Sequence, residues 1–214
     1  MKVIITGATG YVGEGVLIDC LRNLEVEKIL SISRKPTGIK HEKLEEWIIP
    51  DFMKIDNSDN RLSGYDAVFF CAGITSVGTP KDTYRIISQD IPLHFAEVLP
   101  NKSQMTFIYV SGAGTRIDGP QEWQKIKGPT EKRLTEMGFR NAFGYRPCQM
   151  TPTKGQKTKQ VAIQWIMCWL LPLGWICGFS NTIKEVARSM VAVSRNGYHK
   201  PFISPLDIRK LAKQ

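Results

Sequence analysis

Three glycines with the spacing of a phosphate-binding loop follow the first apolar segment of the chain. Gly7 lets the chain turn sharply, Gly10 lets backbone N–H groups approach a pyrophosphate without a Cβ in the way, and Gly13 lets a following helix pack against the strand. The phosphates would then lie at the positive end of that helix. We therefore predict that this loop binds a dinucleotide diphosphate rather than serving only as a tight turn. The residues predicted to contact it are Gly7, Thr9, Gly10, Tyr11, Val12 and Gly13.

Two cations and a hydroxyl group follow the second apolar segment, roughly twenty residues past the glycines. A site specific for NAD has Asp or Glu here, because a carboxylate accepts from the ribose 2′-OH. This chain has Ser33, Arg34 and Lys35 instead, and a guanidinium can bind a 2′-phosphate with paired hydrogen bonds. We therefore predict NADP(H) as the cofactor, with NAD disfavoured. The alternative is that Arg34 and Lys35 form a solvated surface pair.

Short apolar segments alternate with helical patterns over the first 150 residues, which is typical of βαβ units and a parallel sheet. Strands are predicted at Lys2–Thr6, Lys28–Ile32, Trp47–Ile49, Ala67–Cys71, Thr106–Val110 and Asn141–Tyr145. Helices are predicted at Tyr11–Leu24, at Asp82–Leu99 with an interruption near Pro92, and from Pro120 to Met137. We predict a single α/β domain over 1–214, a Rossmann-type doubly wound parallel sheet. Residues 1–150 would form its cofactor-binding core, and 151–214 a small, apolar and basic C-terminal substrate-side lobe with a closing helix.

The Thr-Gly opening and the GxxGxxG spacing resemble the short-chain dehydrogenase/reductase superfamily, particularly its extended and atypical branch of NAD(P)-binding, epimerase-like proteins. The resemblance continues along the chain in Asp51-Phe52, Cys71-Ala72-Gly73, Tyr109-Val110-Ser111, Arg146-Pro147 and the closing segment 203–208. It implies that the first of these pairs flanks the adenine and that the small-residue turn lies beside the adenosine half of the cofactor. It also implies that Ser111 is the active-site serine and that Pro147 lies on the turn before the substrate-side loop.

The same resemblance implies a catalytic tyrosine followed by lysine four residues later, but this chain has Trp123 before Lys127. An indole N–H does not titrate in a useful range, so Trp123 cannot transfer a proton. The resemblance implies that Lys127 holds the nicotinamide ribose and that Ser111 orients the substrate oxygen; these two are the predicted catalytic residues. A solvated helix lysine is the alternative for Lys127. Four alternatives follow for the missing acid. Tyr109 or a water relay could supply the proton, or the reaction could need no acid from the protein. Otherwise the protein binds its cofactor without catalysing a reaction.

Three hypotheses of function therefore stay open. The first is an NADP(H)-binding, atypical short-chain dehydrogenase/reductase-like protein that acts as an oxidoreductase on a small apolar carbonyl or alcohol. The second is a catalytically silent, NADP(H)-dependent regulatory or interaction protein. A third class, a membrane-peripheral protein whose nucleotide state controls docking, depends on the C-terminal third of the chain.

That C-terminal third is basic and carries a long apolar stretch. Of the formal charge of +9, most comes from 151–214, which has ten Lys and Arg against two acids. The stretch 161–179 has one polar side chain, Gln164, and three tryptophans, but Pro172 and Gly174 interrupt any continuous membrane-spanning helix. We predict that it covers the substrate pocket or forms a homodimer interface, with peripheral membrane contact as the alternative. No motif that reads nucleic acid accompanies the charge.

Cysteine and histidine spacing excludes other classes of site. The five cysteines contain no CxxC pair, and the three histidines are far apart in sequence, so neither a disulfide framework nor a metal site is predicted. The apolar run after Lys2 stops at Thr6-Gly7, which is too short for a secretory signal. We therefore predict a reducing, cytoplasmic location.

Overall fold

The computed structural model describes residues 1–157 and 180–214. The strands among these residues are β1 (Lys2–Thr6), β2 (Lys28–Ser33), β3 (Leu44–Ile48), β4 (Ala67–Phe70), β5 (Thr106–Val110), β6 (Asn141–Tyr145), β7 (Gln149–Thr151), β8 (Ser180–Thr182) and β9 (Phe202–Ile203). Seven of them form the main sheet, in the order β3-β2-β1-β4-β5-β6-β9, and every neighbouring pair is parallel. The order 3-2-1-4-5-6 is that of a Rossmann domain, so the predicted fold class is confirmed.

Helices cover both faces of this sheet. They are α1 (Tyr11–Arg22), α2 (Lys81–Arg85), α3 (Ile91–Val98), α4 (Glu122–Thr135), α5 (Ile183–Asn196) and α6 (Pro205–Leu211). The alternating side chains of β1 show how the layers divide, because Ile5 packs with α1 and α5 while Ile4 packs with the aromatic cluster on the other face. That second cluster includes Phe70, Phe95 and Phe107.

The predicted helix boundaries differ from the observed ones by one or two residues, and two features need a physical explanation. Helix α1 ends at Arg22, since Asn23 is extended, and Leu24 beyond it is 93% exposed instead of continuing the apolar face. The interruption predicted near Pro92 lies earlier, in a π-helical turn at Ile86–Asp90. Pro92 follows this turn directly, and the carbonyl of Ser88, to which a residue at position 92 would ordinarily donate, accepts from the Tyr109 hydroxyl instead.

The C-terminal residues that the structure describes join the main sheet and one of its helix layers. Strand β9 pairs with β6 at the edge of the main sheet, and the apolar face of α5 packs against α1. Gly15 allows this close approach, because a Cβ there would lie 2.5 Å from Ile183 Cγ2. Residues 183–211 therefore belong to the main domain, while β7 and β8 form a separate two-stranded parallel sheet.

The apolar stretch 161–179, for which pocket, dimer or membrane contact is predicted, lies outside the described residues. Among the residues that the structure describes, no helix has the length and apolar character that crossing a membrane requires.

Candidate functional site

The glycine loop joins the carboxyl end of β1 to α1 and lies against the end of β4. Gly7 has φ +68°, and a Cβ there would lie 2.6 Å from Ala72 Cα. A Cβ on Gly13 would lie 2.2 Å from the Gly7 carbonyl oxygen, so both positions require glycine for packing. At Gly10 a Cβ would meet only the Gly7 carbonyl oxygen, at 3.3 Å, and φ is −94°. The protein's own packing therefore does not demand glycine at position 10, whereas an approaching phosphate would.

The start of α1 suits an anion. Gly10 is the N-cap residue and has no side chain with which to satisfy the N–H groups of the first turn. Its own N–H donates to the Gly7 carbonyl oxygen over 2.9 Å, which closes the loop. Thr9 and Gly10 are exposed, and Tyr11 and Val12 are half-buried. The predicted diphosphate contacts thus lie together at one helix start.

Loops from neighbouring strands meet at the same edge. The Gly7 N–H donates to Ile32 O of β2 over 3.4 Å, and the Ala72 N–H donates to Thr6 Oγ1 over 3.3 Å. After β4, Cys71 is half-buried and Gly73 is exposed. The predicted small-residue turn therefore lies beside the glycine loop, at the point where the order of strands reverses.

The residues predicted to bind the 2′-phosphate and the adenine differ in their exposure to solvent. Arg34 and Lys35 are exposed at the end of β2, while the buried Ser33 hydroxyl donates to Lys35 O over 2.8 Å. Asp51 is exposed after β3 and accepts from the Met53 N–H over 3.0 Å. The Phe52 ring is buried, edge-on to Phe95 at 6.2 Å between centroids, so its side chain belongs to the core.

A buried polar network lies between β5, α4 and β6. The Glu131 carboxylate, 1% exposed, accepts from Arg146 Nη2 over 2.6 Å and from Arg146 Nε over 3.1 Å. It also accepts from the Ser111 hydroxyl, whose oxygen lies 3.0 Å from Tyr145 O. Gly144 makes room for the carboxylate, because a Cβ there would lie 2.5 Å from Glu131 Oε1.

This network changes what Ser111 can do. A hydroxyl carries one hydrogen, and in Ser111 that hydrogen is directed to the Glu131 carboxylate or to Tyr145 O. Toward a ligand the oxygen can therefore accept a hydrogen bond, whereas donating one would require breaking its contact with a buried carboxylate. The Ser111 N–H donates to Tyr145 O over 2.7 Å, and the Ala113 N–H to Pro147 O over 2.9 Å, so the loops after β5 and β6 are fixed together.

Lys127 lies inside this edge of the sheet rather than in solvent. Its side chain is buried, with 9% of the residue exposed, and Nζ donates to Ser111 O over 2.7 Å, with Val110 O at 3.5 Å. Burial lowers the pKa of Lys127 to about 8, against the opposing effect of the Glu131 carboxylate. The structure thus brings the two predicted catalytic residues, Ser111 and Lys127, into direct contact.

The two aromatic residues weighed as acids do not supply one. Tyr109 is buried and its hydroxyl donates to Ser88 O over 2.6 Å; burial raises its pKa well above 10. The π-helical turn carries that Ser88 carbonyl. Trp123 is half-buried, one turn before Lys127 on α4, and its ring lies beside Gly114 of the loop after β5. Neither residue can exchange a proton near neutral pH.

The sequence analysis missed the contacts that Glu131 makes with Ser111 and Arg146. Nothing in the spacing of Ser111, Glu131 and Arg146 indicates that they meet, because they come from three different elements. A signal was available at Gly144, since an isolated glycine inside a strand often marks a close approach by another group. Another was the T-x-x-E capping box of Thr182 and Glu185, which begins the unpredicted helix α5.

Comparison with known families and proteins places these features. Residues 3–133 match the profile of the NAD dependent epimerase/dehydratase family. This match covers more than half of the chain, from β1 through most of α4. It therefore includes the glycine loop, Ser111, Lys127 and Glu131.

Two curated relatives share part of their length with this chain. "Protein fmp52, mitochondrial" of Aspergillus niger is 25% identical over 153 residues, covering 68% of this chain and 65% of that protein. "Protein FMP52, mitochondrial" of Kluyveromyces lactis is 24% identical over 153 residues, covering 69% and 66%. The chain thus spans slightly less than two thirds of the length of each relative. Their names contradict the predicted cytoplasmic location, which was wrong because a missing secretory signal does not test for the amphipathic, Arg-rich segments of mitochondrial targeting.

Solved structures share the fold. UDP-N-acetylglucosamine 4-epimerase from Methanobrevibacter ruminantium, in complex with UDP-N-acetylmuramic acid, aligns with a TM-score of 0.68 at 17% identity, over 95% of this chain and 75% of that one. UDP-glucuronic acid 4-epimerase from Bacillus cereus, in complex with NAD, aligns with a TM-score of 0.67 at 15% identity, over 95% and 76%. At these identities the likeness shows the architecture.

Proposed function

Because the chain belongs to the NAD dependent epimerase/dehydratase family, we propose that it binds a nicotinamide dinucleotide, with NADP(H) preferred, and acts as an oxidoreductase on a small apolar carbonyl or alcohol. The observation that carries the proposal is Gly10. Packing explains Gly7 and Gly13, but the bare backbone at Gly10, at the start of an uncapped helix turn, is suited to a diphosphate.

The preference for NADP(H) rests on the end of β2. Arg34 and Lys35 are exposed, and within the described residues no hydrogen bond or ion pair engages their side chains. No carboxylate stands among Ser33, Arg34 and Lys35 to accept from a ribose 2′-OH. A guanidinium and an ammonium together suit the doubly charged 2′-phosphate.

The rest of the dinucleotide would extend along the carboxyl edge of the sheet. Asp51 and the backbone of Phe52 would flank the adenine, and the turn Cys71-Ala72-Gly73 would face the adenosine ribose. At the other end, Lys127 would hold the nicotinamide ribose, with Pro147 on the loop beside it. These residues follow the ends of adjacent strands, which is where open α/β sheets bind ligands.

The reacting group would lie near Ser111 and Lys127. When bound, the nicotinamide supplies or removes a hydride. The Ser111 oxygen would meet the substrate side as a hydrogen-bond acceptor, because its own hydrogen is donated to Glu131, and Arg146 holds that carboxylate in place. The apolar composition of 161–179, which follows the Arg146-Pro147 turn, supports a small apolar substrate.

Isothermal calorimetry with NADPH and NADH tests the cofactor. We expect NADPH to bind at least about tenfold more tightly, which is about 1.4 kcal/mol. Gly10→Ala is the matched variant, because its φ of −94° suits any residue and its Cβ would meet one atom, the Gly7 carbonyl oxygen at 3.3 Å, which must shift by only a few tenths of an ångström. It should keep the melting temperature and lose most of the affinity. Equal affinity for both dinucleotides would show that Arg34 does not select the 2′-phosphate. Binding of neither dinucleotide would overturn the proposal.

One observation favours the second candidate, a catalytically silent NADP(H)-dependent regulatory or interaction protein. Trp123 replaces the tyrosine of active relatives of the superfamily, and the Ser111 hydrogen is held by Glu131. NADPH oxidation with a panel of small aldehydes and ketones separates the two candidates. Binding without oxidation by any of them, together with activity gained in Trp123→Tyr, would favour the silent protein.

A further inference from the structure

Reduction of a carbonyl needs a proton as well as a hydride. In the described residues at this edge of the sheet, the groups nearest the expected reaction are Ser111, Trp123, Lys127 and the buried Tyr109. The Ser111 hydrogen is held by a carboxylate, Trp123 does not titrate, and the Tyr109 hydroxyl donates to Ser88 O within the core. None of these three can supply the proton.

Lys127 can. An ammonium has three N–H groups, and Ser111 O takes one of them at 2.7 Å. Val110 O lies at 3.5 Å, the outer limit of a hydrogen bond, so at least one N–H is left for a ligand. The residue lies one helical turn after Trp123, on the same face of α4, and therefore next to the position of the absent phenol.

The charged groups around Nζ favour exchange of a proton. The Glu131 carboxylate lies one turn further along α4 and is neutralised by Arg146 after β6. From β5, the ring of Tyr109 lies with its centroid 5.7 Å from Nζ and brings no charge. Burial is thus the larger influence on the ammonium, and it lowers the pKa of Lys127 to about 8.

We propose that Lys127 is the general acid and base of this site, in the role that Trp123 cannot fill. The proposal rests on the proposed NADP(H)-dependent activity. In the reducing direction, the carbonyl carbon gains a hydride from NADPH and the carbonyl oxygen gains a proton from the Lys127 ammonium. The products are the alcohol, NADP⁺ and a neutral Lys127 amine, which regains its proton from water. In the oxidising direction the neutral amine accepts the hydroxyl proton.

The first test needs no substrate. In protein labelled with ¹³C at the lysine ε-carbons, the Lys127 signal is assigned by its loss in Lys127→Arg, with Lys125→Arg as the matched control on the same helix. We expect this signal to titrate near pH 8, well below the ordinary lysine value of about 10.4, and to shift when NADP⁺ is added. Titration near the ordinary value, or no response to NADP⁺ that calorimetry shows to be bound, would overturn the proposal.

The second test measures turnover of benzaldehyde with NADPH. Arginine keeps the positive charge of Lys127 but does not release a proton. Lys127→Arg should therefore lower kcat about 10²–10⁴-fold, with the Kd of NADPH changed less than about threefold. The double variant Trp123→Tyr/Lys127→Arg should recover at least about tenfold in kcat, since tyrosine supplies a titratable hydroxyl.

Other outcomes separate this inference from the proposed function. Full kcat in Lys127→Arg would show that the lysine acts only as a cation and would overturn the inference. Binding of NADPH without oxidation by the wild-type protein would overturn it too, while leaving the dinucleotide site intact. Absence of any dinucleotide binding would instead remove the proposed function itself.

Discussion

The two halves of the candidate site are built in opposite ways. The loop after β1 works by lacking side chains: Gly7 and Gly13 let three segments of backbone come within contact distance. The edge formed by β5, α4 and β6 works by holding side chains in place, through the contacts among Ser111, Glu131 and Arg146. One half is a backbone surface that any dinucleotide phosphate can approach. The other is a set of charges whose chemistry depends on each partner.

Because of this difference, substitutions should affect the two halves in different ways. A backbone surface tolerates no added atom, so a single methyl group should be enough to damage it. A network of charges tolerates some displacement of its atoms, but its effect on proton transfer changes with the protonation state of each member. The expected effects of variants in the two halves can therefore be ranked. The largest are expected where the substitution places atoms directly against packed backbone.

The largest effect is expected at the glycine loop. Gly13→Ala places a methyl group 2.2 Å from the Gly7 carbonyl oxygen, so helix α1 must move away from β1. We expect a loss of about 2–4 kcal/mol in the free energy of unfolding, measured by urea denaturation, with loss of NADPH binding. Gly73→Ala is the control for stability, because no atom lies within 4 Å of its Cβ position. A stable Gly13→Ala would contradict the packing role of this glycine.

A somewhat smaller effect is expected in the network. Gly144→Ala places a Cβ 2.5 Å from Glu131 Oε1 and should cost about 2–3 kcal/mol of stability, because the carboxylate must leave Ser111 and Arg146. The control is a double-mutant cycle with Glu131→Ala, which removes the carboxylate. We expect the two changes to be non-additive by at least about 1 kcal/mol. Strict additivity would mean that Gly144 is not there to accommodate Glu131.

The buried lysine should make stability depend on pH. Since the pKa of Lys127 falls from 10.5 in the unfolded chain to about 8 in the fold, the unfolded state binds more protons between these values, and stability rises with pH. Relative to Lys127→Met, the wild-type protein should gain about 2–3 kcal/mol between pH 8 and pH 10. Comparing the urea unfolding of both proteins cancels the other titrating groups. Parallel pH profiles would show that Lys127 has an ordinary pKa.

The smallest effect concerns the choice of cofactor. Arg34→Ala should weaken NADPH binding about tenfold and leave NADH binding unchanged, because in the proposed complex Arg34 contacts only the 2′-phosphate. Arg133→Ala removes one positive charge from an exposed position on α4 and serves as the control. An equal loss of affinity for NADPH in both variants would mean that general attraction, and no specific contact, decides the preference.

The parts of the molecule that could be predicted from sequence depend on local backbone requirements. Strands such as β1 and β4 were found because buried parallel strands are continuous apolar segments, and the loop was found because glycine spacing reports a turn directly. Strand β3 was predicted at Trp47–Ile49 but covers Leu44–Ile48, because only Trp47 of this edge strand is buried and its start carries no apolar signal. The burial of Lys127 and the ion pair of Glu131 with Arg146 depend on contacts between distant elements. Helix α5 was missed beyond the apolar stretch, where the alternation of elements breaks, although its capping box gave a local signal.

The packing of α5 against α1 also has a consequence during synthesis. The ribosome makes α1 first, but α5 leaves it only after the six strands from β1 to β6, on the order of ten seconds later or more. Until then the face of α1 around Gly15, which approaches Ile183 of α5 in the finished domain, lacks the helix that packs against it. Nascent chains that stall before residue 183 thus expose apolar surface on α1. We expect chaperones to bind such chains.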